Sequence, residues 1–148
     1  MIHDTAQVSD LAHVDDSAQI GADVVVEPFA FIGPDVQLGA GTWVGPNSTI
    51  VGNTKIGRDC KLFPGCAVGA ASQDLKYKGE PTTVEIGDRT SIRECVTIHR
   101  ATADHMVTRV GSDCLIMAYV HVAHDVQIGN HVILANSVNV AGHVVIED

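Results

Sequence analysis

Valine, isoleucine or leucine occupies every sixth position along most of this chain. The beat runs Val8, Val14, Ile20, Val26, Ile32, Leu38, Val44, Ile50, Ile56, Leu62 and Val68. It returns at Ile86, Ile92 and Ile98, then continues from Val110 through Ile116, Val122, Ile128, Leu134 and Val140 to Ile146. Two places before the beat stands a small residue or valine, as at Ala18, Thr42, Cys60, Cys114 and Val120, and glycine often follows it. A helix repeats every 3.6 residues and a strand every two, so neither alone sustains a period of six. Hexads of this kind predict an all-β solenoid, a parallel β-helix spanning residues 1–148 as one domain. Each hexad supplies one short strand and a turn, and three close a triangular coil of eighteen residues. The aliphatic beat fills the prism, glycine, asparagine and aspartate relax its corners, and stacked strands lie about 4.8 Å apart. Periodicity does not fix the hand of the coil; the usual rule for parallel crossovers favours a right-handed path.

The beat is interrupted twice, by polar stretches near residues 70–83 and 100–108. Each interruption keeps the count to a multiple of six, so the coil resumes in phase and both stretches read as loops ejected from the prism. Gln73, Asp74 and Lys76 make the first a binding loop on a rigid scaffold rather than a tolerated insertion.

Composition narrows the function. Aromatic residues are only 4% of the chain, which suits a narrow interior of small aliphatics. A net charge of −9 with no basic run excludes generic nucleic-acid binding. No apolar run approaches a membrane span, and the opening residues do not read as a signal peptide. Cys60, Cys66, Cys95 and Cys114 form no CxxC pair; they are expected to be reduced, buried small residues of a cytoplasmic protein rather than a zinc centre.

The candidate chemistry lies in Tyr119-Val-His-Val-Ala-His124-Asp125. Residues eighteen apart stack, which puts Gly142 over His124, Asn139 over His121 and His143 over Asp125. A histidine facing a residue without a side chain has room for a substrate and a backbone N–H nearby that can hold an oxyanion. Asp125 would fix its tautomer. Two other readings stay open on spacing alone. These are surface histidines on a polar corner, and a zinc site of His121, His124 and His143.

The segment from Gln73 to Asp88, with Ile92-Arg-Glu, Val96-Thr-Ile-His-Arg100, Val122-Ala-His-Asp125, Ile133-Leu-Ala-Asn136 and Ala141-Gly-His143, resembles the UDP-N-acetylglucosamine O-acyltransferases that begin lipid A synthesis. The resemblance implies a left-handed β-helix and a homotrimer with sites between subunits. It also implies transfer of a (R)-3-hydroxyacyl group from acyl carrier protein to the 3-hydroxyl of UDP-N-acetylglucosamine. On it, His124 is the general base, Asp125 its orienting partner and Gly142 the oxyanion donor. Gln73, Asp74, Lys76, His121 and His143 fall on substrate-binding positions. No cofactor, no metal, no nucleic acid and no membrane insertion are implied. Lys76, Lys78, Arg89, Arg93, Arg100 and Arg109 are expected to gather as a basic surface for the carrier protein or substrate phosphates. Outward valines and isoleucine around Val24-Val25-Val26 and Val132-Ile133 are expected to form the trimer contact. Family members continue into more coils and a helical C-terminal domain, which hold the nucleotide grip and the acyl-length ruler, so this sequence is expected to be their N-terminal portion and inactive by itself. The alternatives are the sibling N-acyltransferase of the same pathway, a zinc-dependent protein resembling γ-class carbonic anhydrases, and a non-enzymatic solenoid.

Overall fold

The hexad Gly21–Val26 shows how every coil is made. Ala22 and Asp23 turn the chain, with Asp23 in the left-handed region at φ 57°. Val24 then points inward, Val25 outward and Val26 inward again, all within the period of two that a strand imposes. The strand ends after two residues because the next corner begins. Its backbone groups are satisfied by the coils on either side, with Gln7 N–H donating to Val24 (2.8 Å) and Val25 N–H to Thr42 (3.0 Å).

In the computed structural model, which describes residues 1–148, repetition of this unit gives three parallel seven-stranded sheets and no helix. The first face starts at Gln7–Val8 and ends at Ile133–Leu134, the second runs from His13–Val14 to Asn139–Val140, and the third from Gln19–Ile20 to Val145–Ile146. The beat residues stack in columns, such as Ile32 on Ile50 on Val68, into one aliphatic core of 30 buried residues. Apolar burial of this sort, about 25 cal/mol per Å², drives the coil together. No helix is long and apolar enough to cross a membrane.

The position two before the beat also points inward, and its chemistry explains the cysteines. At the corner between the third and first faces, Thr42 Oγ1 donates to Gly57 O (2.9 Å) and Cys60 Sγ to Gly87 O (3.0 Å). One and two coils on, Thr90 Oγ1 donates to Gly111 O (2.7 Å) and Cys114 Sγ to Gly129 O (3.2 Å). Threonine and cysteine are interchangeable there because each brings a short donor to a corner carbonyl that would otherwise be buried unpaired. Cys60, Cys66 and Cys114 are thus buried free thiols, but Cys95 is exposed. Cys95 sits three places before the beat, in the left-handed corner at φ 58°, where side chains face out.

Three further expectations are corrected. Corners are not reserved for glycine, asparagine and aspartate: Phe29, Arg89, Tyr119, His131 and Ser137 also take positive φ. Each such residue costs on the order of 1 kcal/mol, which the ladder bonds above and below outweigh. Val24, Val26 and Val132 point inward; Ile133 is exposed as expected, and the other large apolar side chains at the surface include Leu11, Phe29, Phe31 and Tyr119, with Leu75 on the first loop and Val145 at the end of the third face. The basic residues do not gather either. Arg89 pairs with Asp113 (2.7 Å), Arg109 with Glu85 (2.8 Å), and Arg93 lies over the Phe63 ring (4.2 Å) beside Glu94. An acidic chain supplies Arg89, Arg93 and Arg109 with nearer local partners than a shared surface would.

The two ejected segments, residues 71–82 and 100–106, both leave between a strand of the second face and a strand of the third. With no corner to turn, the flanking strands run on: Ala67–Ala70, Thr83–Ile86 and Val107–Val110 each have four residues. Both loops therefore emerge along one edge of the prism. His124-Asp125 and Gly142-His143 are the next corners on that edge.

Candidate active site

Asp125 is the centre of this edge. It takes the left-handed corner position (φ 61°), and its carboxylate is fully buried. The second loop folds over it. Thr102 donates its N–H to both carboxylate oxygens (3.1 Å each) and its hydroxyl to Oδ2 (2.6 Å), and His105 N–H approaches Oδ1 at 3.3 Å. Asp125 N–H in turn donates to Thr108 Oγ1 (3.0 Å). Burial pushes the Asp125 carboxyl up, but the bonds from Thr102 and His124 outweigh it and hold the group below its ordinary range.

The ionised carboxylate can only accept hydrogen bonds, so His124 Nδ1, 2.9 Å from Oδ2, must carry the proton. Its Nε2 is then the nitrogen with the lone pair. That atom faces the first loop, 3.8 Å from Asp74 Oδ2. Asp74 is set by a tight turn in which its N–H donates to Ser72 Oγ and its Oδ1 accepts from Lys76 N–H (2.9 Å). The His124 side chain is 17% exposed, enough to be reached and little enough to be held.

Gly142 stacks over the imidazole. A Cβ there would lie 2.5 Å from His124 Cε1 and 2.6 Å from Nε2, so the next coil admits only glycine above this ring. The Gly142 N–H makes no hydrogen bond within the chain. His143 follows, with its ring edge-on to His124 at 5.1 Å and Nε2 3.8 Å from both Asp104 and Asp125.

His121 lies one strand earlier on the second face, where Nδ1 is 2.7 Å from Thr97 Oγ1, and His99 packs edge-on at 4.8 Å. Burial lowers the pKa of both His99 and His121, and His99 Nδ1 is buried without a partner. The structure therefore brings together Asp74, His124, Asp125, Gly142 and His143, with His121 adjoining. Gln73 and Lys76 stand exposed on the first loop. Thr97, His99, Thr102, Asp104 and His105 join the site without having been singled out in the sequence. Thr97 and His99 were within reach of the arithmetic, since the step across the second loop is twenty-four residues and pairs Thr97 with His121. Nothing in the hexad pattern says where a loop residue such as Thr102 lands.

His124, Asp125 and His143 have donor atoms within 4.8 Å of one another. They do not make a metal site as arranged, because Asp125 already accepts from Thr102, His105 and His124 and has no lone pair directed at a common point. His121 is not among the side chains whose donor atoms converge here, so the three histidines do not form one cluster. A groove of about 840 Å³ at the start of the third face, lined by Ile2, Gln19, Gln37 and Lys55, includes none of these residues.

Comparison with known proteins places the chain. The model of the bacterial transferase hexapeptide family (six repeats) matches residues 35–70 and 108–142. An acyl-[acyl-carrier-protein]–UDP-N-acetylglucosamine O-acyltransferase from Herminiimonas arsenicoxydans is 56% identical over 78 residues, 52% of this chain and 30% of that protein. The protein of the same name from Thermodesulfovibrio yellowstonii is 48% identical over 93 residues, 62% of this chain and 36% of its own length. The crystal structure of a UDP-N-acetylglucosamine acyltransferase from Bacteroides fragilis superposes with a TM-score of 0.92 at 44% identity, covering 93% of this chain and 54% of that one. The chain thus spans about half the length of the solved relative and a smaller share of the curated ones. Such a superposition is out of reach for a coil of opposite hand, so the β-helix is left-handed and the general crossover rule does not hold here. In its repeats and fold the chain resembles the bacterial transferase hexapeptide proteins, and the relatives it matches here are UDP-N-acetylglucosamine O-acyltransferases.

Proposed function

We propose that this β-helix carries the catalytic corner of an acyltransferase. It moves a (R)-3-hydroxyacyl group from acyl carrier protein to the 3-hydroxyl of UDP-N-acetylglucosamine, in lipid A biosynthesis. The observation that carries the reading is His124, with Nδ1 committed to a buried carboxylate and Nε2 free of any hydrogen bond against Gly142, whose N–H is unengaged. A sugar hydroxyl is a poor nucleophile near neutral pH. His124 Nε2 takes its proton as the oxygen attacks the thioester carbonyl, and Asp125 stabilises the imidazolium that results. The carbonyl oxygen becomes an oxyanion held by Gly142 N–H. Collapse of the tetrahedral adduct forms the ester, breaks the C–S bond and returns the proton from Nε2 to the departing thiolate of the carrier. Nothing in this sequence asks for a metal or cofactor.

Asp74, His121 and His143 border the space in front of Nε2 and are the proposed sugar-nucleotide contacts; Gln73 and Lys76, on the exposed rim of the first loop, meet the substrates as they enter. We also assign a homotrimer. Of the exposed apolar residues, Leu11, Phe29, Phe31, Tyr119 and Ile133 lie on the first two faces or the corner between them, and Val145 lies at the end of the third. The third face presents Gln37, Lys55, Glu85, Arg109 and Gln127. One side of the prism is thus built to be covered and the other to meet water.

The test is acyl transfer by the gene product carrying these residues, followed by mass spectrometry, with UDP-N-acetylglucosamine and its 3-O-acyl glucosamine counterpart offered in parallel. Ester formation on the first acceptor, lost in His124→Ala, is expected. Amide formation on the second would make it the sibling N-acyltransferase. Activity that follows bound zinc rather than His124 would reject the mechanism. A stable monomer at micromolar concentration in sedimentation would reject the trimer.

A further inference from the structure

We infer that Thr102 is a positioning residue: its hydroxyl pins the Asp125 carboxylate to His124 Nδ1 and so decides which imidazole nitrogen is free to accept a proton. The kinetic half of this inference rests on the general-base reading above; the tautomer it concerns can be observed without turnover.

The need for such a pin follows from the crowd of partners. His124 has a carboxylate at each nitrogen, Asp125 at Nδ1 (2.9 Å) and Asp74 at Nε2 (3.8 Å). Asp125 in turn has two imidazoles within reach, since His143 Nε2 is also 3.8 Å from its Oδ2. A neutral imidazole carries one N–H, and that proton settles on the nitrogen facing the better acceptor. If Asp125 swung toward His143, Asp74 would become the better acceptor and draw the proton to Nε2. In that tautomer Nε2 has no lone pair to offer a substrate hydroxyl.

Thr102 closes that route. Its N–H spans both carboxylate oxygens at 3.1 Å and its hydroxyl reaches Oδ2 at 2.6 Å, the same oxygen that His124 Nδ1 uses. The hydroxyl is itself oriented. Asp104 N–H approaches Thr102 Oγ1 at 3.4 Å, which occupies a lone pair and leaves the hydroxyl proton to point at Asp125. Thr102 is buried at 6% exposure, so water does not compete for these bonds. Rotation of the carboxylate would break three contacts from one residue at once. The second loop thereby sets the electronic state of a histidine it does not touch.

Nitrogen-15 NMR of histidine-labelled protein, at a pH alkaline enough that the imidazoles are neutral, reads the tautomer directly. The Nδ1–H form is expected to dominate in the native protein, and Thr102→Val to populate the Nε2–H form. In the acyl-transfer assay Thr102→Val lowers kcat about tenfold with KM little changed, the worth of one charge-assisted bond. Thr102→Ser restores both readouts. In an Asp125→Asn background Thr102→Val adds no further loss, because the two act as one unit. Should valine crowd the loop, Thr102→Ala removes the same hydroxyl without added bulk. An unchanged tautomer in folded Thr102→Val or Thr102→Ala overturns the inference, as does multiplication of the two losses. A shifted tautomer with undiminished acyl transfer would uphold the pin and reject the general-base reading instead.

Discussion

Asp113 and Asp125 occupy the same place in hexads two apart, three residues before the beat, and both take the left-handed corner at φ 57° and 61°. Their surroundings differ completely. Asp113 is exposed and meets the Arg89 fork at 2.7 and 2.9 Å, and it is this partner that holds its carboxyl below the ordinary range. Neighbouring corner residues on that edge bond their own kind, Asn130 to Ser112 below and Asp148 above, in a ladder that only closes the coil. Asp125 is buried beneath an inserted loop and bonded to a histidine. The hexad determines backbone at both corners. What arrives from elsewhere in the chain determines whether a corner is scaffold or site, and only the edge between the second and third faces receives inserted segments.

The largest contrast between the two corners is expected in turnover. General-base catalysis is worth roughly 10²–10⁴-fold, so His124→Ala should lower kcat by that order while trimer formation and the β-sheet circular dichroism stay unchanged. Asp125→Asn keeps the shape but favours the tautomer in which Nε2 cannot act as base, and should fall within the same range. Asp113→Asn should leave kcat as it was. Equal losses at both aspartates would mean that the corners differ only in stability, and the comparison would collapse.

Stability should separate them next. Asp125→Ala strips acceptors from the Thr102 N–H, the Thr102 hydroxyl and the His105 N–H, of which the Thr102 pair is buried. Orphaned buried donors cost on the order of 1–3 kcal/mol, so a loss near 3 kcal/mol in urea unfolding is expected. Asp113→Ala removes an exposed, solvent-screened pair and should cost far less, and less again at high salt. The pH dependence has a definite sign. The folded pKa of Asp125 is depressed, so its contribution is present above the unfolded value of about 3.9 and is lost as pH falls through the lower folded value. The unfolding curves of native protein and Asp125→Ala should therefore converge in strong acid. Curves that stay parallel down to pH 2 would show that the carboxylate's charge is not what the loop recognises.

How much of this was legible in the sequence follows from the same division. The beat at Val26, Val44 and Leu62 is a property of local alternation and solenoid repetition, so the strands, their register and the core could be read off directly. So could the stacking of Gly142 on His124, which needs only a count of eighteen. Arg89, Arg93 and Arg109 defeated a reading by proximity in sequence, because residues adjacent along the chain lie on different faces. Thr102 and His105 defeated it for another reason. A loop follows no period, and its path is set by the donors and acceptors it meets when it folds back. The hand of the coil is a third kind of case, fixed by likeness to solved structures rather than by any periodicity.

The finest test compares the corner with the core position one residue further on, using Cys95 and Cys66. Cys95 stands at a left-handed corner and is exposed; Cys66 stands two before the beat, 1% exposed. Burial pushes the Cys66 thiol up to about 11, so at pH 8 only about one molecule in a thousand carries the reactive thiolate even before access is considered. Cys60 and Cys114 are likewise raised by burial, and both thiols are engaged with corner carbonyls. Iodoacetamide at pH 8 should therefore add one group to each folded chain that is free of its copies and four in denaturant, counted by intact mass. Peptide mapping should place the single group on Cys95. Because the corner side chain points away from the core, the alkylated protein should unfold within about 0.5 kcal/mol of the unmodified one, the usual range for a surface change. Prompt labelling of Cys66 in the folded chain would mean that the coil opens at that level. Because Cys95 lies on the corner between the first two faces, its labelling should be slow in the assembled protein and prompt once the copies separate; equal rates in both would exclude this corner from the proposed contact.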